Sequence, residues 1–179
     1  MKKKYWLLSL LLLFITFGCG MGNTPKSKVS DLLDRYNNQD DVIKTELGDY
    51  LNALDLDDDN LTGYQDIYLR QYSDLKYNIK DERIDGDTAV VEVEITVYDY
   101  YTAENQINTY VSNNQEEFFD DNNIYDPDKA LKYRIRELGK TNDTVKYTLD
   151  INLTKINNVW TVDTLTNEQL EKIHGTYTH

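Results

Sequence analysis

The 179-residue sequence predicts an α+β fold in which N-terminal helices pack on an antiparallel sheet of two long hairpins. Two observations support this prediction. Apolar residues first recur every three to four positions, as in amphipathic helices, and later alternate with polar residues, as in strands that are buried on one face. The alternating pattern occurs twice, with a helical pattern between the two occurrences. The hairpins are therefore predicted to flank a helical insertion.

Residues 1–18 are predicted to form an export signal that is removed from the mature protein. Lys2–Lys4 give a basic start, and the apolar run Tyr5–Phe17 that follows is shorter than the about 20 residues that span a bilayer. Ile15–Cys19 resembles the bacterial lipobox, which makes Cys19 the lipidated first residue of the mature chain. An ordinary secretory signal and an uncleaved membrane anchor are the alternatives. We expect a lipid-anchored protein on the extracytoplasmic face of the cell membrane.

The net charge limits the classes of binding partner, and the cysteine content limits how the fold can be stabilised. The formal net charge of −13 becomes −16 once the three lysines of the signal are removed. Such a surface repels nucleic acid and anionic headgroups, so we expect no nucleic-acid partner and a domain that stands off the bilayer on its anchor. Cys19 is the chain's one cysteine, which rules out an intramolecular disulfide. Residues 19–23 are interpreted as the lipidated cysteine and a short linker, and residues 24–179 as one domain stabilised by its core.

Three amphipathic helices are predicted at the start of this domain. Thr24 and Pro25 are typical of the N-cap and first turn of the first helix. The third helix is predicted to begin at Thr62. Each helix has an apolar stripe that we expect to face the core. The stripes consist of Val29, Leu32, Leu33 and Tyr36; of Ile43, Leu47, Tyr50, Leu51 and Leu54; and of Tyr64, Ile67, Tyr68 and Tyr72.

The first hairpin turns around Asp85–Asp87, between two alternating stretches. A three-residue loop there pairs Ile79 with Val93 and Lys80 with Glu92, so that apolar residues share one face of the sheet. A strict two-residue turn would instead mix the two faces. The three-residue loop is therefore the predicted connection.

The helical insertion is predicted to follow once the second strand ends between Tyr98 and Tyr101. One helical region is expected from about Ala103 to Phe119, and another helix from Asp126-Pro127 onwards. The residues expected to face inward are Ile107, Tyr110, Val111, Phe118, Leu131, Ile135 and Leu138.

The second hairpin alternates apolar and polar residues from Val145 to Thr154, and Asn157-Asn158 is predicted to form its two-residue turn. Asparagine tolerates the positive φ that a type I′ turn requires. The turn pairs Leu153 with Val162 and Lys155 with Trp160. A closing helix is predicted to start at the capping box of Thr166 and Gln169 and to end at Gly175.

This order of elements resembles exported lipoproteins of low-GC Gram-positive bacteria that have a nuclear-transport-factor-2-like, cystatin-like domain. The stretches behind the resemblance are Thr24-Pro25, Glu82–Val93 and Trp160–Thr166. The resemblance implies a curved antiparallel sheet wrapped against helices and an extracytoplasmic location. The helical insertion departs from the usual order of the superfamily. Members of that superfamily range from enzymes to inert scaffolds, so the resemblance does not decide the function.

One acidic cluster is a candidate metal site. Asp55, Asp57 and Asp59, with Asp66 at the twelfth position, resemble a helix-loop-helix calcium loop. The cluster lacks the glycine of such loops, and Asp66 is shorter than the usual bidentate glutamate. The favoured interpretation is a solvated acidic connection that caps the next helix at Thr62, without a metal.

Other chemistry has weaker support in the sequence. The 15 tyrosines could line an apolar pocket, but core packing is the favoured interpretation. The two histidines, His174 and His179, follow the last strand, and the inward strand positions have no carboxylate, so no acid–base pair or nucleophile is predicted. Three glycosylation sequons, at Asn60, Asn142 and Asn152, are attributed to chance. The tyrosines are concentrated at Tyr64, Tyr68, Tyr72, Tyr77, Tyr98, Tyr100 and Tyr101.

Two functions fit these observations. The favoured one is a non-enzymatic, membrane-tethered interaction module with an unidentified protein partner in the cell envelope and no cofactor. The alternative is a small-ligand pocket protein, or an enzyme, of the same fold. A filled concave face of the sheet favours the first, and an open cavity with converging Tyr or Asp side chains favours the second. The residues expected to fill the concave face are Tyr77, Val93, Ile95, Tyr147, Leu149 and Ile151.

Overall fold

The computed structural model describes residues 22–54 and 56–178, so the export signal, Cys19, Asp55 and His179 lie outside the described residues. Within those ranges the chain forms six α-helices, one 3₁₀ helix and a four-stranded antiparallel sheet, which confirms the α+β class. The helices are α1 (Pro25–Asn37), α2 (Asp41–Asn52), α3 (Asp58–Asp74), α4 (Tyr100–Asn113), α5 (Pro127–Leu138) and α6 (Asn167–His174), and the 3₁₀ helix is Gln115–Phe118. The strands are β1 (Lys76–Asp85), β2 (Thr88–Tyr98), β3 (Thr144–Ile156) and β4 (Val159–Val162).

Side-chain caps fix the starts of the helices. Thr24 caps α1 and forms a reciprocal capping box with Ser27, which confirms the predicted start. Helix α3 begins at Asp58, a full turn before the predicted cap at Thr62. Asp57 is its N-cap and accepts a hydrogen bond from the Asn60 amide at 2.8 Å. A carboxylate satisfies a free amide at a helix start well, so the helix extends back to it.

The first hairpin differs from the predicted connection. Ile79 does pair with Val93, but a bulge follows it, and Asp81 rather than Lys80 lies opposite Glu92. The extra residue in β1 shifts the register by one, so the strands close on a two-residue turn between Asp85 and Thr88. The three-residue loop is therefore wrong, because the bulge restores the parity that the loop was meant to supply.

The second hairpin matches its prediction. Asn157 and Asn158 have φ values of 52° and 65°, as a type I′ turn requires. Leu153 pairs with Val162, and Lys155 pairs with Trp160. The sheet has the order β1-β2-β3-β4, so the two hairpins are joined by the pairing of β2 with β3 along the whole of β2.

The helical insertion starts earlier than predicted. Strand β2 ends at Tyr98, and Asp99 caps α4 by accepting a hydrogen bond from the Thr102 amide at 2.9 Å. Helix α4 ends at Asn113, and the 3₁₀ helix holds the buried Phe118. Tyr110 is exposed rather than inward-facing. Helix α5 starts at Pro127 as predicted, with Ala130 and Leu138 buried and the predicted inward residues Leu131 and Ile135 half-buried.

The main core lies between the inner face of the sheet and helices α1–α3 and α6. Five of the six positions expected to fill the concave face are buried, and Tyr77 is half-buried. Most residues of the helical stripes also face this core, but Tyr50 of α2 and Leu54 just after it are exposed. Ile67 of α3 is buried in a second cluster with residues of α4 and α5. The buried concave positions are Val93, Ile95, Tyr147, Leu149 and Ile151.

The end of α6 is fixed against the end of β2. Gly175 has φ 74°, and a Cβ there would lie 2.0 Å from the Tyr98 carbonyl oxygen, so only glycine allows this approach. The buried Gln71 of α3 accepts a hydrogen bond from the Tyr98 amide at 2.8 Å and donates one to the Ile173 carbonyl at 3.3 Å. These contacts join α3, β2 and α6 and place His174 beside α3.

Candidate functional site

A cavity of about 720 Å³ opens between α1, α2, β4 and the segment that leads into α6. We call it the α1–β4 groove. Small-molecule sites in proteins usually have volumes of about 300–1,000 Å³. Its apolar and aromatic lining residues are Leu32, Tyr36, Ile43, Leu47, Tyr50, Tyr72, Trp160, Val162, Leu165 and Leu170. Its polar lining residues are Lys28, Asp31, Arg35, Glu46, Thr161, Asp163, Thr164 and His174.

The groove exists because β4 is short. Strand β3 has 13 residues but β4 has only four, so beyond Val162 the chain leaves the sheet and crosses toward α6. Helix α2 forms the opposite wall, and its position is fixed at the α1–α2 connection. There the Arg35 Nε lies 2.5 Å from the Asp40 Oδ2, while Asp40 also caps α2 through the Ile43 amide. The wall residues Ile43 and Leu47 are consequently presented to the groove.

His174 lies in the wall of the groove among three tyrosines. Its Nε2 is 2.9 Å from the Tyr72 hydroxyl. The centroids of the Tyr68, Tyr50 and Tyr72 rings lie 5.1, 5.7 and 5.8 Å from the imidazole centroid. Tyr36 extends the cluster through an edge-to-face contact with Tyr72 at 5.1 Å. Aromatic contacts of this kind give a rigid, apolar surface that still has polar hydroxyl groups.

Burial shifts the pKa values of His174 and of the tyrosines around it, and so sets their protonation states at neutral pH. It lowers the pKa of His174 to about 4, so the imidazole is neutral at pH 7. Burial, and secondarily the charge of Glu46, raises the pKa of Tyr36 to about 12. Burial also raises the pKa values of Tyr68 and Tyr72. At neutral pH the cluster therefore offers uncharged hydrogen-bonding groups.

Charged residues surround this apolar interior. Lys28 and Asp31 form an ion pair at 3.7 Å on one turn of α1. Arg35 is engaged with Asp40, and Glu46 and Asp163 add negative charge. Both cations and anions line the opening, and this mixture does not select a strongly charged ligand.

Sequence reasoning dismissed His174 because it follows the last strand. Its hydrogen-bond partner Tyr72 lies 102 positions earlier in the chain, so no local pattern links them. The available signal was the spacing of Tyr68 and Tyr72, which places both rings on one face of α3. That spacing was assigned to the core, and both rings are indeed buried.

The calcium-loop candidate does not have the geometry of a loop. Asp57 is the N-cap of α3, and both Asp59 and Asp66 lie within that helix. Seven residues of α-helix separate those two carboxylates by about 10 Å along the axis, too far for one ion. In residues 22–54 and 56–178 no three His, Cys, Asp or Glu side chains are grouped as a metal site would need. Asp55 lies outside the described residues.

Several of the remaining tyrosines stabilise helix packing through their hydroxyl groups. Tyr100 donates to the Ile67 carbonyl at 3.2 Å, and Tyr98 donates to Asp74 at 2.6 Å. Tyr77 donates to Asp34 at 2.7 Å. Of the sequon asparagines, Asn60 is buried and donates to both Asp57 and Asp128. These groups are structural.

A second cleft of about 490 Å³ lies between α4, α5 and the segment before β3. The Tyr110 and Tyr133 rings stack in it at 5.0 Å. Glu137 there is paired with Lys140 at 2.9 Å. This cleft has fewer apolar walls than the α1–β4 groove and no buried histidine.

Comparisons with known proteins leave the family undefined. No family model matches the sequence, and the comparison with curated proteins found no match. The fold is similar to the crystal structure of ycdA, a putative lipoprotein from Bacillus subtilis, with 17% sequence identity and a TM-score of 0.46. The similarity covers 96% of this chain and 55% of the ycdA chain, so this chain spans about half the length of that protein. A similarity at this level does not transfer a function.

No helix within residues 22–54 and 56–178 combines the length and the apolar composition that crossing a bilayer requires.

Proposed function

We propose that this chain is an extracytoplasmic lipoprotein, tethered through Cys19, whose domain binds a small, largely apolar molecule in the α1–β4 groove. The main supporting observation is the neutral His174 that lines the groove among three tyrosines. An apolar cavity with a few convergent polar groups is the usual form of a small-molecule site.

The lining residues define the chemistry of the ligand. Leu47, Trp160 and the tyrosines favour a compact apolar or aromatic body. The imidazole of His174 can donate or accept one hydrogen bond, depending on its tautomer, because Tyr72 already occupies Nε2. The ligand is therefore an uncharged or weakly charged molecule with one polar group directed at His174.

Binding without turnover is favoured by the electrostatics. A general base operates best with a pKa near the working pH, and that of His174 lies well below it. Burial is the sole cause of that shift, so no carboxylate stabilises an imidazolium there. The proposed function is therefore non-enzymatic.

A small ligand is favoured over a protein partner because the binding surface is concave. The concave face of the sheet itself is filled, as the interaction-module interpretation expected. The open volume lies beside it, past the edge of β4, where tyrosines converge. This second feature belongs to the pocket interpretation, and the two expectations are thus met in different parts of the molecule.

The tether and the fold family are part of the same proposal. The lipobox-like Ile15–Cys19 and the basic, apolar residues before it support lipidation and export. The resemblance to nuclear-transport-factor-2-like, cystatin-like domains is supported by the order of elements, in which helices cover one face of an antiparallel meander.

Ligand binding is tested with N-phenyl-1-naphthylamine, a flat apolar fluorophore, and the soluble chain from Gly20 onward. We expect saturable fluorescence enhancement. Leu32→Trp places a large ring on the groove wall and is expected to weaken binding by about tenfold or more, which corresponds to ~1.4 kcal/mol. Leu131→Trp, at a half-buried position of α5 outside the groove, is the matched control. If the two variants bound the probe with equal affinity, the assignment of the binding site to the α1–β4 groove would be wrong.

The tether is tested separately. Cys19→Ala should release the protein from membranes or leave an unprocessed precursor. Mass spectrometry of the native protein is expected to show a diacylglyceryl group on Cys19 as the first residue. An unmodified Cys19 that retains residues 1–18 would contradict the location.

A further inference from the structure

Three chain segments meet at one end of the sheet. The β1–β2 turn follows Asp85, and the β3–β4 turn is Asn157-Asn158. Because Thr88 pairs with Thr154, both turns project from the same end. Asn23 lies at the second of these turns: its side chain donates to the Asn158 carbonyl at 2.7 Å and accepts from the Trp160 amide at 2.9 Å. The start of the folded domain is thus fixed at the tip of the second hairpin.

This end of the sheet exposes aliphatic side chains. Ile84 and Ile156 are each 55% exposed, and Val159 is 49% exposed. Ile156 pairs directly with Val159, so their side chains lie next to each other across the second hairpin. Ile84 is one residue from the turn of the first hairpin. Its register through Ala89 to Leu153 places it on the opposite face of the sheet from Ile156 and Val159, so the exposed side chains lie on both faces of this end. We call these three residues the hairpin-tip patch.

The short segment between Cys19 and Asn23 limits how far the hairpin-tip patch can lie from the membrane. Cys19 precedes Asn23 by four residues, and four extended residues span at most about 14 Å. A lipidated Cys19 lies at the membrane surface, because its acyl chains are in the bilayer. The sheet end that holds Asn23 is therefore within that distance of the lipid headgroups.

We propose that the hairpin-tip patch rests in the interfacial layer of the membrane and orients the domain on its anchor. The inference depends on the lipidation of Cys19 that forms part of the proposed function. Exposed aliphatic side chains gain free energy when they leave water for the headgroup–acyl boundary, and the anchor supplies a high local concentration.

The charged residues near the hairpin tips are compatible with contact between this end of the sheet and the membrane. The acidic residues at this end are Glu82, Asp85 and Asp87, and the basic residues are Lys26, Arg83 and Lys155. Most of the net negative charge is elsewhere on the surface. The proposed contact is confined to one end, whereas the net charge predicts that the domain stands off the bilayer, so neutral lipids should favour the contact over anionic lipids.

The orientation also affects the α1–β4 groove. Trp160 and Val162 of β4 line the groove, and Val159 of the same strand belongs to the patch. A domain that stands on its hairpin tips holds the groove beside the membrane, which is a source of apolar molecules.

The experiment uses the full lipidated protein in phosphatidylcholine vesicles, with a spin label at Asp85→Cys. Thr144→Cys at the opposite end of β3, about 33 Å from position 85 along the strands, is the control site. Collision rates with oxygen and with a water-soluble nickel chelate report depth. We expect a severalfold higher oxygen-to-nickel ratio at position 85 than at position 144.

Matched substitutions identify the cause. Ile84→Thr, Ile156→Thr and Val159→Thr together keep β-branched residues in the strands and should return the position-85 ratio to the position-144 value. Val42→Thr, Leu54→Thr and Ile124→Thr remove as many exposed aliphatic residues elsewhere and should leave the ratio unchanged. Ile156→Thr alone should lower the position-85 ratio only partly. This single variant keeps the test valid if the triple variant does not fold.

The outcomes separate this inference from the proposed function. Equal ratios at both positions with a modified Cys19 would overturn the orientation while leaving the anchor intact. Spin–spin broadening at position 85 would show that a second copy covers the patch, and would also overturn it. An unmodified Cys19 by mass spectrometry would remove the tether on which both proposals depend, whereas groove binding is measured independently.

Discussion

The inner face of the sheet and the α1–β4 groove use similar residues, yet one is closed and the other is open. Strands β2 and β3 pair along the whole of β2, and the inner positions from Val91 to Leu153 are covered by helices. Strand β4 stops after four residues, and the groove opens between it, α1, α2 and the segment that leads into α6. The length of a single strand thus determines where the molecule has room for a ligand.

The closed face and the open groove also differ in how well their buried polar side chains are hydrogen-bonded. On the closed face the buried Gln71 is fully engaged with backbone groups of β2 and α6. In the groove, His174 has one hydrogen bond to Tyr72 and an otherwise aromatic surrounding. A satisfied polar group stabilises a core, whereas a partly satisfied one beside a cavity can bind a ligand.

The largest expected effect compares two leucines with the same truncation. Leu149→Ala at the centre of the closed face and Leu47→Ala on the groove wall both remove a nearly fully buried side chain. Such changes cost about 2–5 kcal/mol, depending on how well the site relaxes. We expect Leu149→Ala near the top of that range and Leu47→Ala near the bottom, because water already reaches the groove. Urea unfolding measures both losses of unfolding free energy. Equal losses in the two variants would contradict the distinction between a closed sheet face and an open groove.

Trp160 lies at the boundary between the two regions. Its side chain is buried, lines the groove, and has the Lys155 ammonium 5.4 Å from its ring centroid. Trp160→Ala is expected to lower the free energy of unfolding by about 3–5 kcal/mol. It should also abolish binding of the naphthylamine probe. A loss well below 1 kcal/mol would place Trp160 outside the core.

Local signals explain how much of this structure the sequence could predict. The Thr24 and Thr166 caps, Gly175, and the Asn157-Asn158 turn each depend on residues a few positions apart, and all were confirmed. The bulge after Ile79 was missed because parity alone cannot distinguish an extra loop residue from an extra strand residue. The His174 site was missed because it is assembled from three helices that are distant in sequence.

The pH dependence of stability should reveal the groove histidine. The pKa of His174 is lowered from 6.5 to about 4 in the folded state, so the unfolded chain binds the proton more readily between those values. Its contribution is fully present above pH 6.5 and is lost as the pH falls toward 4. The loss is at most about 3 kcal/mol, and less because the ring is partly exposed to the groove.

The matched variant for that measurement is His174→Phe, which keeps an aromatic ring but does not titrate. The difference in unfolding free energy between it and the natural chain should shrink from pH 6.5 to pH 4.5. Carboxylates such as Asp40 and Glu94 have lowered pKa values, caused first by hydrogen bonds to Arg35 and Lys146, so they affect both proteins equally at lower pH. A pH-independent difference would show that His174 is not shifted.

The smallest expected effect removes one oxygen from the groove cluster. Tyr72→Phe keeps the ring packing but deletes the 2.9 Å hydrogen bond to His174. A neutral hydrogen bond of this kind contributes about 0.5–1.5 kcal/mol to stability. Tyr125→Phe, at an exposed ring outside the groove, should change stability by less than about 0.5 kcal/mol. Because Tyr72→Phe also frees Nε2, we expect ligands with a hydroxyl group to bind the variant more tightly than the natural chain. Calorimetric titration with 1-naphthol, and with naphthalene as the apolar control, measures this, and an unchanged preference would show that the polar group of the ligand does not reach His174.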